Sequence, residues 1–386
     1  MEQRVSSRAH RKTAPARRRQ SARMTHNLAL VLITRDEARC LERCLRSAAG
    51  AVDEMWVLDT GSVDDTAAIA RRCGAGVVHW RWRDDFAAAR NAALALTRCD
   101  WRLVLDADEW IGGSAYALQD WQRDATPRLG LLRVSSLVED AAAGVQYAPS
   151  WLPRLLPRGV PYAGKVHEQP VSTLPRQRLD LLVLHDGYLP SQMARKGDRN
   201  RRMLQQALHA APHDAYLSYQ LGKDHEVHGR FDQAEPCYAH ALDVAEAAAS
   251  WRHDLVLRQL FTLKKLARFD DALLLAGREM RHWSDSPDFH FTLGDVLLDW
   301  AAAQPQHAAA LLPMIESSWR RALEIGENPA LPDTVAGRGS HLAAHNLAVF
   351  HQSLGDAAQA RHWREQAARM RAEARLSASL PDAAIG

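Results

Sequence analysis

Leu103-Val104-Leu105-Asp106-Ala107-Asp108-Glu109-Trp110 is the stretch that decides the fold of this chain. It is an apolar run that ends in two acids, and alternate side chains of a strand share a face, so Asp106 and Asp108 are expected to project together. The apolar residues favour a buried parallel strand, which places both acids at the carboxyl edge of the sheet. Two carboxylates there make an oxygen site suited to Mg²⁺ or Mn²⁺. The alternative is that either aspartate caps a following helix.

Strand and helix signals alternate upstream of this stretch. Short apolar runs predict strands at residues 29–33, 55–58, 77–80 and 101–105. Helical patterns lie between them, at Leu41, Cys44, Leu45 and Ala48, at Ala67, Ile69 and Ala70, and over Phe86–Leu96. This alternation predicts a parallel sheet with helices on both faces, and such sheets bind ligands beyond the carboxyl ends of their strands. Asp59 and Asp106 both follow predicted strands.

Other uses of these elements are excluded by missing motifs. The chain has no G-x-x-x-x-G-K-[ST] loop, which excludes a P-loop enzyme. Gly74-Ala75-Gly76 lacks a third glycine and precedes a strand, which excludes a dinucleotide-binding fingerprint. Ser62-Val63-Asp64-Asp65 fits a capping box with Ser62 as the helix N-cap.

Composition indicates a globular chain of about two domains. The 386 residues are 47% hydrophobic and 25% charged, with no apolar run long enough to span a bilayer. Residues 1–23 carry eight basic side chains against a single acid, Glu2, and predict a solvated tail rather than a nucleic-acid contact. The five cysteines form no C-x-x-C pair, and we therefore expect reduced thiols in a cytoplasmic protein.

Several ordered motifs resemble those of the family 2 glycosyltransferases, which have the GT-A fold. They are Thr34-Arg35-Asp36-Glu37, Val57-Leu58-Asp59-Thr60-Gly61-Ser62-Val63-Asp64-Asp65-Thr66, Asp84-Asp85-Phe86-Ala87-Ala88-Ala89-Arg90-Asn91, Leu105-Asp106-Ala107-Asp108-Glu109, Lys165-Val166-His167-Glu168-Gln169-Pro170 and His185-Asp186-Gly187-Tyr188. The resemblance is greater to the subgroup with a tetratricopeptide tail, which includes bacteriocin peptide S-glycosyltransferases. That subgroup usually has Lys-Asn-Glu where this chain has Arg35-Asp36-Glu37, which affects only fine nucleotide contacts.

The resemblance implies a donor site and a metal site. The donor-binding residues that it implies are Thr34, Glu37, Asp59, Asp85, Arg90 and Asp106. The metal ligands that it implies for Mn²⁺ or Mg²⁺ are Asp106, Asp108 and His185. The alternative for Asp85 and Arg90 is an ion pair on a helix surface.

The downstream motifs imply acceptor chemistry. An inverting transfer needs a base beside the acceptor nucleophile, and Glu168 is the candidate, with His167 orienting the base or the metal. Either histidine, His167 or His185, has a hydrogen-bonded structural role as its alternative. The Pro- and Arg-rich residues 151–161 predict a loop, either a mobile cover over the donor or a rigid connector.

From about residue 200 strand patterning is replaced by helical repeats. Small and aromatic residues fall at tetratricopeptide offsets in four successive units. The units are marked by Leu221, Gly222, Gly229, Ala234, Tyr238 and Ala241; by Phe261, Ala267, Ala272 and Ala276; by Leu293, Gly294, Trp319 and Ala322; and by Leu347, Ala348, Gly355, Ala360 and Ala367. Such an array recognises a partner through its concave face or serves as a purely structural scaffold.

Together these features predict a basic tail (residues 1–26), an α/β GT-A domain (27–198) and an all-α repeat domain (199–386). The predicted function is metal-dependent transfer from a nucleotide-sugar donor, with a UDP-sugar favoured, to a peptide, protein or glycan acceptor presented by the repeats. A homo-oligomer is compatible with the sequence. The alternatives are a non-catalytic repeat scaffold with a decayed transferase domain and a nucleotidyltransferase.

Overall fold

The structure, a computed structural model, describes residues 26–140, 144–186, 190–331 and 334–378. All but the last residue of the predicted basic tail therefore lies outside the described residues. The five cysteines lie within them and are free thiols.

The first half of the chain forms an eight-stranded mixed sheet in the order β3-β2-β1-β4-β7-β6-β10-β5. Its strands are β1 (Leu28–Thr34), β2 (Glu54–Asp59), β3 (Gly76–His79), β4 (Trp101–Val104), β5 (Glu109–Ile111), β6 (Leu129–Asp140), β7 (Gly144–Pro157) and β10 (Arg176–His185). β8 (Tyr162–Ala163) and β9 (Gln169–Pro170) form a separate two-stranded ribbon. β3, β2, β1 and β4 are parallel, as predicted, whereas β4 pairs with β7 and β7 with β6 in antiparallel fashion.

Helices cover the parallel part of the sheet. They are α1 (Leu41–Ala48), α2 (Thr66–Arg72), α3 (Phe86–Leu94) and α4 (Tyr116–Gln122). The four buried residues of α1 are Leu41, Cys44, Leu45 and Ala48, at the spacing of one helix face, and they join the core under β1 and β4. The predicted α/β class is therefore confirmed, and the carboxyl ends of β1 and β4 lie side by side.

The loop predicted for residues 151–161 is wrong over its first part, because Trp151–Pro157 belong to β7 in the middle of the sheet. Two prolines concealed the strand, since proline lacks the N–H that a central strand donates. Pro153 faces Leu131 of β6 where the pairing shifts register, and Pro157 is the last residue of β7. Leu155 and Leu156 between them are fully buried and carry the strand through the core.

The second half is entirely helical among the residues that the structure describes. The long α5 (Pro190–Ala210) leads into it and spans the predicted domain boundary at residue 198. Four helix pairs follow: α6 (Ala215–Val227) with α7 (Phe231–Val244), α8 (Arg252–Lys265) with α9 (Phe269–Glu279), α10 (Pro287–Ala303) with α11 (Ala308–Ile325), and α12 (His341–Ser353) with α13 (Ala357–Ala378). No helix within the described ranges is both long and apolar enough to cross a bilayer.

Glycines allow the paired helices to approach closely, as the repeat pattern predicted. A Cβ placed on Gly222 of α6 would lie 2.5 Å from the Tyr238 ring of α7. A Cβ on Gly294 of α10 would likewise lie 2.5 Å from the Trp319 indole of α11. Both aromatic residues are buried in one core that runs through the helical region, so the glycines set the spacing of the helices around it.

Replacing Ala267 by glycine is expected to stabilise the helical region. Ala267 has a φ of 54° in the turn between α8 and α9, where Gly229 and Gly355 take 69° and 78° in the equivalent turns of other pairs. A side chain in the left-handed region costs about 1–2 kcal/mol, so removing the Cβ stabilises the folded chain. The greater conformational freedom of glycine in the unfolded chain offsets part of this stabilisation. We expect the free energy of unfolding in urea to rise by about 0.5–1 kcal/mol. Gly229→Ala is the control and should lower it; a less stable Ala267→Gly would contradict the assignment.

Candidate functional site

The D-x-D residues lie in a tight turn that follows β4. The strand ends at Val104, the N–H of Glu109 donates to the carbonyl of Asp106 at 3.0 Å, and β5 begins at Glu109. The helix-cap alternative is therefore wrong, because a strand follows the acids. The expected strand geometry is wrong as well, but the turn still directs Asp106 and Asp108 into the same cavity.

This cavity of about 270 Å³ opens at the carboxyl ends of β1 and β4. It brings together eight of the predicted site residues: Thr34, Glu37, Arg90, Asp106, Asp108, His167, Glu168 and His185. It is also lined by side chains that had no predicted site role, among them Arg35, Thr60 and Phe86, which lie within the quoted motifs, and Trp82, Arg199 and Asn200, which lie outside them.

Arg90 links the donor side of the cavity to the candidate base. Its Nη2 donates to Asp106 Oδ1 at 2.5 Å, and its Nε donates to Glu168 Oε1 at 2.8 Å. The residue is 6% exposed, and its Nη1 is buried without a hydrogen-bond partner. The predicted alternative of a surface ion pair with Asp85 is wrong, since Arg90 pairs with residues of two other elements. A buried, unpaired guanidinium nitrogen in a cavity wall is a donor for an incoming ligand.

Arg154 of β7 braces the D-x-D turn from behind. Its Nη2 donates to Asp106 Oδ2 at 2.8 Å and to Glu109, while Glu109 Oε2 accepts the backbone N–H of Asp106 at 3.0 Å. Desolvation disfavours the charged form of Asp106, but Arg90 and Arg154 outweigh it and hold its pKa well below the ordinary value. Burial raises the pKa of Glu109, although Arg154 opposes the shift. Arg154 is thus a structural part of the site.

We expect Arg154→Met to destabilise the first domain. The methionine keeps much of the side-chain volume but leaves Glu109, which is 2% exposed, without its cation. Breaking a buried ion pair in this way costs about 3 kcal/mol. Thermal unfolding of Arg154→Met should show the loss, and Arg158→Met, at an exposed position in the loop after β7, is the control. Equal unfolding temperatures for the two variants would contradict the bracing role.

Of the three predicted metal ligands, Asp108 and His185 lie next to each other. Asp108 Oδ2 lies 3.6 Å from His185 Nε2, and Nδ1 of the same ring lies 3.1 Å from the hydroxyl of Ser136. Burial opposes protonation of His185, but Asp108 reverses the effect and raises its pKa. Asp106 does not complete a ligand set, because its two oxygens accept from arginines, and no group of three acidic, histidine or cysteine side chains forms a metal site within the described residues.

Two predicted donor residues lie outside the cavity lining. Asp59 is 1% exposed, and its oxygens accept from Ser62 and from His79 Nδ1, the latter at 2.9 Å. Asp85 is the N-cap of α3 and accepts the N–H of Ala88 at 2.8 Å. Their donor-binding roles stay predictions. The capping box at Ser62 is wrong, because α2 begins only at Thr66 and Ser62 instead fastens Asp59.

The loop with His167 and Glu168 is fixed by both halves of the chain. The carbonyl of Lys165 accepts the N–H of Phe86 at 2.8 Å, and Val166 packs in a small core with residues of α5 and α6. His167 takes a left-handed φ of 53° that turns the loop toward the cavity. The His167 ring is accessible from the cavity. Desolvation by the surrounding protein, and then the positive charge of Lys223, lower the pKa of His167 to about 4, so the ring is neutral near pH 7.

Thr34 and Glu37 line the part of the cavity wall that follows β1. Thr34 is 4% exposed, and its hydroxyl is buried without a hydrogen-bond partner. Glu37 Oε2 accepts from the Cys40 thiol at 3.2 Å, and the Glu37 N–H donates to the Thr66 hydroxyl at 2.8 Å. This wall therefore presents polar groups on a backbone held in place by α2.

Known proteins resemble this chain over part of its length. Residues 29–116 match the family model described as glycosyl transferase family 2. A TPR repeat-containing protein of Synechococcus elongatus is 33% identical over 261 residues, which cover 64% of this chain and 64% of the relative. The SPbeta prophage-derived glycosyltransferase SunS of Bacillus subtilis is 26% identical over 264 residues, which cover 63% of this chain and 56% of the relative.

Among solved structures, MamA resembles the chain with a TM-score of 0.37 and 14% identity, covering 47% of this chain and 94% of that one. The chain spans less than two thirds of the length of the two curated relatives. The predicted resemblance is confirmed: residues 29–116 match glycosyl transferase family 2, and stacked helix pairs at tetratricopeptide spacing follow in the second half.

Proposed function

We propose that this protein transfers a sugar from a nucleotide-sugar donor to a peptide, protein or glycan acceptor, with inversion at the anomeric carbon. The observation that carries the proposal is the cavity beside β1 and β4, which brings together eight predicted site residues, among them Thr34 and His185. The match of residues 29–116 to a glycosyltransferase family supports it independently. A decayed scaffold would not be expected to keep buried charged groups aimed at a cavity.

The donor is proposed to lie between the wall after β1 and the D-x-D turn. The unpaired Thr34 hydroxyl and Arg90 Nη1 supply hydrogen bonds to a polar ligand. Asp106 is held open on the cavity side at 35% exposure, so it can accept from a ribose hydroxyl while its arginines keep it ionised. A UDP-sugar is the donor favoured by the resemblance of the motifs.

Asp108 and His185 fit two protein ligands of a Mn²⁺ or Mg²⁺ ion. A carboxylate oxygen and an imidazole nitrogen form a suitable donor pair, and such ions commonly take their remaining ligands from substrate phosphates and water. The bound ion would neutralise charge on the departing diphosphate.

Glu168 is proposed as the base. Its Oε1 accepts from Arg90 Nε, and no hydrogen bond or ion pair among the described residues engages its Oε2, which leaves that oxygen for the acceptor. As the acceptor nucleophile bonds to the anomeric carbon and the bond to the diphosphate breaks, Glu168 takes the nucleophile's proton. The neutral ring of His167 beside it orients the acceptor or the carboxylate.

The proposal is tested by incubating the protein with Mn²⁺ and a panel of sugar nucleotides and following nucleoside diphosphate release by mass spectrometry. Metal-dependent release of a nucleoside diphosphate is the expected result. Release of pyrophosphate would identify a nucleotidyltransferase, and failure to bind any nucleoside diphosphate would favour a scaffold. NMR of the transferred sugar's anomeric proton then tests inversion.

A further inference from the structure

Two arginines from different halves of the chain reach the mouth of the same cavity. Arg35 follows β1, whereas Arg199 lies on α5, and both line the cavity together with Asn200. The Arg199 guanidinium carbon lies 5.3 Å from the centre of the Phe86 ring at the start of α3. Phe86 itself meets Trp82 edge to face at 4.8 Å, so an aromatic wall holds the arginine in position.

Arg35 and Arg199 have fewer close carboxylate partners than Arg90 and Arg154, the two arginines that contact Asp106. Arg90 and Arg154 each contact two carboxylates. No carboxylate among the described residues lies within ion-pair distance of Arg199, which donates from Nε to Asn200 Oδ1 at 3.4 Å. Arg35 reaches only Asp36, at 3.9 Å, and is 47% exposed.

Like charges placed close together disfavour each other. Burial, and then the charge of Arg35, lower the pKa of Arg199 from its ordinary value, and the charges of Asp84 and Glu37 only partly oppose the shift. The repulsion between the two arginines is unfavourable before an anion binds. A bound anion relieves this repulsion by accepting charge-assisted hydrogen bonds from both planar guanidinium groups. Arg35 and Arg199 therefore give the cavity a cationic rim above an interior in which Asp106, Asp108 and Glu168 already face arginine or histidine side chains.

We propose that Arg35 and Arg199 clasp the diphosphate of the donor, so that the helix leading into the repeats completes the donor site. This rests on the proposed function, since the diphosphate is the multiply charged anion of that reaction. Inside the cavity, Asp106 and Glu168 are paired with arginines and Asp108 lies beside His185, whereas no carboxylate of the described residues lies within ion-pair distance of Arg199 at the rim. Arg199 is thus a binding residue supplied from outside the region of the family match, residues 29–116.

A binding experiment on the full chain tests the clasp. The probes are UDP, GDP and ADP with Mn²⁺, titrated calorimetrically, followed by the parent nucleoside of whichever diphosphate binds. Arg199→Ala is expected to weaken diphosphate binding by about ten-fold to a hundred-fold, as for the loss of a charged hydrogen bond. Nucleoside affinity should be unchanged, and Arg199→Lys should recover part of the loss because it restores the charge without the fork.

Arg202→Ala, on an exposed position of the same helix, is the matched control and should bind like the unmodified protein. Because the contact is electrostatic, the affinity gap between Arg199→Ala and the unmodified protein should narrow as salt is raised. Equal diphosphate binding by Arg199→Ala and the unmodified protein overturns the clasp alone. A parallel loss of nucleoside binding also overturns it, since the arginine would then act on the pocket as a whole. Absence of diphosphate binding by the unmodified protein instead overturns the proposed function.

Discussion

Replacing Asp108 by asparagine is expected to abolish metal-dependent binding of the donor and to reduce sugar-nucleotide turnover by about a thousand-fold. The loss reflects the several kcal/mol of charge stabilisation that a bound ion supplies at a departing diphosphate. Asparagine has nearly the same shape and retains one oxygen, so the turn after β4 should persist. Calorimetric titration of UDP with and without Mn²⁺, together with turnover, measures the effect.

Two control variants separate the metal role from other roles. Asp120→Asn changes an acid on α4 that is 74% exposed and should leave both measurements unchanged. Asp106→Asn weakens the contacts with Arg90 and Arg154, so we expect weaker donor binding that still depends on Mn²⁺. Full metal-dependent activity in Asp108→Asn would refute its assignment as a ligand.

Replacing Glu168 by glutamine is expected to suppress transfer by about a hundred-fold to ten-thousand-fold, the range for loss of a general base. Glutamine can still accept the Arg90 Nε–H through its amide oxygen, so the wall between the two residues should keep its geometry. Nucleoside diphosphate affinity should therefore stay unchanged while turnover falls. Single-turnover kinetics and calorimetry on one preparation measure the two quantities.

Glu42→Gln is a suitable control, because Glu42 is 49% exposed on α1 and pairs only with Arg46 among the contacts described. It should behave like the unmodified protein. If Glu168→Gln lost diphosphate affinity as severely as turnover, Glu168 would belong to the donor pocket and the base would have to be sought elsewhere.

The parallel half of the sheet and the helical repeats were predictable because their determinants are local. Apolar runs marked β1 to β4, and a residue spacing of 3.6 marked α1 and the helix pairs. Gly222 and Gly294 were recognised for the same reason, since a missing side chain at a fixed repeat offset indicates close packing. Helix start points were less reliable, and Ser62 shows why: its hydroxyl bonds the strand-end Asp59 rather than the helix.

The second half of the sheet, in which antiparallel pairs mix with the parallel pair of β6 and β10, was not predictable from the same patterns, nor was its role in the site. Pro153 and Pro157 interrupted the strand signal of β7, although Leu155 and Leu156 between them are wholly buried. With the strand unrecognised, Arg154 had no assigned position. Its alignment with Asp106 depends on the antiparallel pairing of β4 with β7, which joins residues about 50 positions apart.

The sequence by itself indicated the family, the order of the two halves and eight of the seventeen residues that line the cavity, because these depend on short motifs and regular spacings. Only the tertiary structure decided how those residues are paired. It assigned Asp106 to two arginines and left Asp108 with His185, and it brought Arg199 of α5 to the rim. The physical reason is that a carboxylate takes its role from the charges that surround it, and those charges come from strands and helices far apart in the chain.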